Sequence, residues 1–427
     1  MDVFRTLGQE LELRWQRHEY ARSAFPELAV AALQTLDSVD TIGTGDILRW
    51  IARERELPPQ QDPRSRFSDL AITFYETPRF FVSALVWLEG TTAIHQHCFS
   101  GAFRVLAGGS LHSRYRFLEE QPVNDCFRLG RLDREQIELL PTGSVRPIVS
   151  GEGFIHSLFH LDRPSVTLVI RTKFDEGTHP QWSYYPPGIG YDPFAGTPVT
   201  TIKKLEAVSV LLTLEAEAAD EELHRMLAAS DLHTTYSLLS TLFHQIATNP
   251  LKRAFGADTG ARFERLVEQA RACHGPAVDL FEQALHEQRR QEEIIEIRSY
   301  LTSPDHRFLL ALLLNVPDRA ALLELIARRY PDRDPADTFV GWIDELSRTR
   351  ALGSLGPSVL RTSEFDLEHL VVLGRLIRGG NAAEAASDLR RALPAEAPAS
   401  ARALAAAIVA SFRDTSVLGA LFRDVTA

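Results

Sequence analysis

Gly90–Thr91–Thr92–Ala93–Ile94–His95–Gln96–His97 follows directly on the run Phe80–Phe81–Val82–Ser83–Ala84–Leu85–Val86–Trp87–Leu88. That run is rich in aromatic and branched residues, which fit a pleated, buried surface. In a strand, side chains two positions apart share a face. His95 and His97 can therefore aim two imidazoles at one ion from one side of a sheet. A turn, a strand and a glycine turn follow, through Gly101, Phe103–Arg104–Val105–Leu106 and Gly108–Gly109. About sixty residues beyond His97 stands Gly153–Phe154–Ile155–His156–Ser157–Leu158–Phe159–His160. It supplies a third imidazole, His156, with His160 as its partner or a rival ligand.

Working outward, residues 66 to 202 continue in the same texture. Ser165–Val166–Thr167–Leu168–Val169–Ile170–Arg171–Thr172 reads as a further strand, and Gly90, Gly101, Gly108, Pro141, Gly143, Gly151 and Gly153 punctuate the region. Many short strands divided by turn residues predict a barrel or sandwich. Residues 1–62 read as a helical segment that ends at Pro58–Pro59–Gln60–Gln61–Asp62–Pro63. Residues 203–427 read as a large helical domain. The expected fold is mixed β and α: a barrel over 63–202, with helices on either side in the chain.

Within the tail, 306–380 has the plan of a winged-helix-like module. Its helices are His306 to Asn315, Arg319 to Tyr330 after an Asp318 cap, and Ala336 to Ser347 opened by Asp334–Pro335. Gly353–Ser354–Leu355–Gly356–Pro357 would form the wing. Its recognition helix would carry Asp337, Asp344 and Glu345, and acids there oppose groove binding.

The net charge of −11 repels phosphate backbones, so no nucleic-acid partner is expected. No stretch of eighteen apolar residues marks a membrane span, and residues 1–12 lack an apolar leader core. Cys98, Cys126 and Cys273 have no Cys-x-x-Cys spacing, which points to a reducing cytoplasm.

The two histidine stretches resemble the paired motifs of the cupin superfamily. Gly90 and His95-x-His97 match the first motif, closed by Gly108. Gly153, His156 and His160 match the second, with His160 where the family usually has Asn. The likeness covers about 130 residues and is closest to the thiol (cysteine) dioxygenases, which hold iron with three histidines and lack the usual glutamate ligand. Here the glutamate slot holds Gly101 or Ala102. The resemblance implies a metal site of His95, His97 and His156, with Fe(II) first and Zn, Ni, Cu or Mn as alternatives. Ala102 stands where animal cysteine dioxygenases carry a crosslinked cysteine. The family's serine–histidine–tyrosine relay falls near Thr167, Val169 and Arg171, where only the Thr167 hydroxyl remains.

Three neutral imidazoles leave positions open on an octahedral ion, which suits a substrate and dioxygen side by side. Thr167, Val169 and Arg171 share a strand face, so an inward face brings Arg171 near the metal, with a fork suited to a carboxylate. Arg79 is a second candidate for that role. Tyr185 or its neighbour Tyr184 could place a phenol over the site. His112 reads as exposed or structural, and Cys98 as facing away from His97. The expected function is a metal-dependent oxygenase acting on a small acidic or thiol-containing molecule. A ligand-sensing protein that docks a partner or forms a homodimer through its helical tail is the alternative, and non-redox zinc catalysis a third.

Overall fold

Eleven strands lie between Leu70 and Tyr191 among the described residues. The computed structural model describes residues 1–427 apart from 37–41, 62, 65, 178–179, 215, 248–258, 351–359, 361–364, 394–397, 416 and 426–427. The strands are β1 (Leu70–Glu76), β2 (Phe80–Trp87), β3 (Ile94–His97), β4 (Gly101–Ala107), β5 (Ser110–Asn124) and β6 (Phe127–Leu140). They continue with β7 (Val145–Ile148), β8 (Gly151–His160), β9 (Ser165–Thr172), β10 (Ser183–Tyr185) and β11 (Ile189–Tyr191). One sheet has the order β1-β2-β9-β4-β7, and the second closes on itself as β10-β11-β6-β5-β8-β3. The result is a β-barrel followed by a large helical region.

Strand alternation divides the first sheet cleanly. Phe80, Val82, Ala84 and Val86 of β2, with Leu168 and Ile170 of β9, face outward into a core shared with the N-terminal helices. Those helices are α1 (Asp2–Arg17), α2 (Phe25–Gln34) and α3 (Thr44–Arg53). Phe4, Leu7, Leu11 and Trp15 recur along one face of α1 and are buried there, at helical spacing. The odd-numbered residues of β2 and β9 face the opposite way, into the space between the sheets.

The C-terminal helices are α4 (Val199–Leu214), α5 (Ala216–Ala228), α6 (Leu232–Leu242), α7 (Thr259–His274), α8 (Ala277–Arg298) and α9 (Pro304–Asn315). Beyond them come α10 (Arg319–Arg329), α11 (Pro335–Arg348), α12 (Leu367–Ile377), α13 (Ala382–Ala392), α14 (Pro398–Asp414) and α15 (Gly419–Phe422). They do not stand apart from the barrel. Phe127, Leu129 and Ile189 share a core with α4 to α8. Leu111, Phe159 and Leu161 share another with α8 to α15. The capping signals are realised: Asp318 accepts from the Ala321 amide and Asp334 from the Asp337 amide, both at 2.7 Å. The stretch read as a wing, Gly353 to Pro357, lies outside the described residues. Beyond it α12, α13 and α14 carry the helical packing on. No described helix is long and apolar enough to cross a membrane.

Candidate metal centre

The two strands that carry the histidines pair antiparallel, with His95 directly opposite His156. A register irregularity between His95 and His97 follows. One nitrogen from each of His95, His97 and His156 lies within 4.8 Å of the others, and all three rings are buried. Nε2 of His97 stands 2.9 Å from Nε2 of His156.

Hydrogen bonds fix which nitrogen each ring presents. His95 Nδ1 donates to the Ala93 carbonyl at 2.8 Å, which leaves its Nε2 lone pair free. His156 Nδ1 lies 3.1 Å from His112 Nε2, and His112 Nδ1 lies 3.0 Å from Glu138 Oε1. A carboxylate only accepts, so His112 donates from Nδ1 and accepts at Nε2, and His156 is protonated at Nδ1. His97 Nε2 faces the His156 Nε2 lone pair as a second ligand nitrogen would, and His97 Nδ1 is buried with no hydrogen-bond partner. Burial first, and then the neighbouring rings, hold His97 and His156 well below the ordinary imidazole value; burial also lowers His95, against the Ala93 bond. Neutral imidazole is the form that binds metal.

The donor set fits a divalent ion. Nitrogens bound side by side on an octahedral ion at about 2.1 Å stand about 3 Å apart, close to the His97–His156 separation. Among the described residues nothing acidic completes the set. A side chain at Gly101 would meet the Ile170 carbonyl at 1.9 Å, and Ala102 is buried on the far face against the helices.

The rings open into a cavity of about 760 Å³ between the sheets. Phe81, Ser83, Leu85 and Trp87 of β2 line it, with Thr167, Val169 and Arg171 of β9. Arg171 is therefore on the cavity wall. Its guanidinium lies 4.0 Å from the Phe99 ring centroid and 4.6 Å from that of Phe81, and the Phe99 and His97 rings are 4.3 Å apart. Cys98 is a buried thiol that donates to Gln181 Oε1 at 3.4 Å and stands outside the ligand group.

The other candidates lie elsewhere. Arg79 is exposed in the turn before β2, where the pleat has not begun, and rests 3.9 Å over the Tyr20 ring. Tyr185 bonds Tyr191 at 3.0 Å and lines a second cleft, between the barrel and α8. Its neighbour Tyr184 donates to Gln96 on the face of β3 away from the metal point. His160 bonds Ser110 at 2.9 Å and stacks on Trp87 at 4.5 Å. The partner of His156 is His112, a fully buried ring and not an exposed one. Its alternation with Ser110 along β5 was visible in the sequence. The pairing of β5 with β8, which brings it to His156, was not.

No protein-family model and no curated protein matches this chain. Parts of solved structures resemble it. One is the capsular polysaccharide assembling protein CapF from Staphylococcus aureus, at 18% identity over 32% of this chain and 34% of that one, TM-score 0.22. The chain thus spans about a third of the length of CapF. A cupin-2 domain containing protein from Shewanella frigidimarina is similar at 14% identity over 32% and 98%, TM-score 0.19. Hydroquinone 1,2-dioxygenase from Sphingomonas sp. TTNP3 is similar at 10% identity over 28% and 82%, TM-score 0.19.

Proposed function

We propose that this chain is a metal-dependent cupin oxygenase, with iron(II) held by His95, His97 and His156, acting on a small acidic or thiol-containing molecule. The observation that carries the reading is the convergence of three buried imidazoles at the wall of a largely apolar cavity. When bound, such an ion supplies open positions for a substrate and dioxygen. A three-histidine site keeps the ion's full positive charge and so favours an anionic co-ligand, the feature shared with the thiol dioxygenases. Arg171 holds a substrate carboxylate at the same wall, its guanidinium kept in place between the rings of Phe81 and Phe99. Phe103, Leu85 and Trp87 exclude water and strengthen that contact. The three free cysteines fit a reducing cytoplasm.

Oxygen uptake by the iron-loaded protein across a panel of small thiols and carboxylic acids tests this reading. Uptake is expected with at least one acid or thiol, and Arg171→Gln should weaken that compound's binding about 10- to 100-fold. Full iron loading with no uptake across the panel would contradict it.

One feature favours a sensing role. Arg298 of α8 donates to the carbonyls of Gly90 and His160, and Arg307 of α9 to those of Leu88 and Leu161. Both buried guanidiniums also meet Glu89. The helical region thus grips the approaches to both histidine strands. In this reading the tail docks a partner or a second copy, and a ligand-dependent change in oligomeric state would select it.

A further inference from the structure

Behind His156 runs a line of polar groups that reaches the protein surface. His112 on β5, Glu138 on β6 and Arg146 on β7 follow one another, His112 and Glu138 being directly opposed across the β5–β6 pair. The distances are 3.1 Å from His156 to His112, 3.0 Å from His112 to Glu138, and 2.9 and 2.5 Å from Glu138 to the two arms of Arg146. Phe103 and Phe154 flank His112, with ring centroids 6.1 and 5.8 Å away.

We propose that His112, Glu138 and Arg146 are positioning residues that set the tautomer and aim of His156, so that its Nε2 lone pair points at the metal. The inference rests on the metal-binding reading of the three histidines. Its logic is one of polarity. A guanidinium only donates and a carboxylate only accepts, so the outer pair gives the line a direction. Glu138 accepts from both Arg146 and His112. His112 is thereby left with its lone pair facing inward, and can take only a donor from His156. His156 keeps its proton at Nδ1 and its lone pair at Nε2. Reversing the line at its outer end would reverse every ring along it and put an N–H on His156 where the ion must bind. Ligand histidines elsewhere are tuned by just such a partner on the second nitrogen. Here the partner is itself a histidine, and the direction is decided three groups away.

Glu138→Gln supplies that reversal. An amide has one accepting and one donating end. Glu138 Oε1 is shared by His112 Nδ1 and Arg146 Nε, while Oε2 meets Arg146 Nη2 alone. With the amide oxygen held by Nη2 at the Oε2 place, the amide N–H faces His112 Nδ1. Adding Arg146→Ala frees the amide to turn its oxygen back toward His112. The first readout is Co(II) affinity by chelator competition, with far-ultraviolet circular dichroism as a check on folding. Glu138→Gln should weaken Co(II) about 10- to 100-fold, and the double variant should recover to within about threefold of wild type. A loss of packing alone would not be rescued by a second deletion. The second readout needs no metal: nitrogen NMR of ¹⁵N-histidine-labelled protein should find His156 protonated at Nδ1 in wild type and at Nε2 in Glu138→Gln. Equal Co(II) affinity in wild type and Glu138→Gln, or the same protonated nitrogen in both, would overturn the proposal. A wild type that binds no Co(II) would instead overturn the metal reading, and the NMR comparison would still decide this one.

Discussion

His160 and His112 show how far a residue's neighbours outweigh its motif. His160 stands in the expected slot, yet its ring packs on Trp87 and its Nδ1 meets Ser110. Burial, and then the charge of Arg298, push its pKa down to about 3 from 6.5. The unfolded chain takes up this proton below pH 6.5, and the folded protein refuses it until about pH 3. The stability His160 contributes is therefore complete above pH 6.5 and is lost as the pH falls toward 3. One such proton gives a slope of about 1.4 kcal/mol per pH unit. His160→Phe, which keeps an aromatic ring on Trp87, should remove one proton's worth of slope between pH 4 and 6 in urea unfolding. An unchanged slope would show that the ring is protonated in the folded state. Glu138 adds a smaller, more acidic window. Burial would raise its carboxyl, but its bonds to Arg146 and His112 outweigh that and hold it at about 2.

At the scale of the element, the period of two carried most of what the sequence made legible. It placed His95 and His97 on one face, and it placed Thr167, Val169 and Arg171 on another that turns out to line the same cavity. It could not say which strands are neighbours, so the His112 contact across β5 and β8 stayed hidden. Nor could it say where a strand begins: Arg79 has the parity of Phe81 but lies one residue before β2 and follows the turn instead. The turn at Gly90 was legible as punctuation, while its reason is steric. A Cβ there would fall 2.5 Å from the Trp87 ring and 2.7 Å from that of His160. Both are stacked rings with little room to give. Gly90→Ala should therefore cost about 1–3 kcal/mol, read as a lower thermal midpoint. A midpoint equal to wild type would mean that the Trp87–His160 stack is loose.

Across the whole molecule, barrel and helices are bound by three shared cores and by the buried arginines of α8 and α9. Composition marked the change from strands to helices, but long-range partners such as Gly90 and Arg298 leave no local trace in the sequence. Arg298 is 1% exposed and donates to the Gly90 and His160 carbonyls, adding to the bond that the His160 amide gives Gly90. Arg298→Met should cost about 3–5 kcal/mol and loosen the histidine strands with it. Arg225→Met is the control. Its bridges to Glu221 and Glu222 are exposed on α5, and its loss should cost less than about 1 kcal/mol. Equal costs at both positions would mean that the helices do not brace the barrel.

The central claim is that three imidazoles converge on one ion. Its most direct test is the metal content per chain of protein purified without oxygen, wild type beside His97→Ala. About one divalent ion per wild-type chain is expected, with iron foremost, and loss of most of it in a variant that stays folded. Equal metal content in the two proteins would place the ion elsewhere and rule out the three-histidine site.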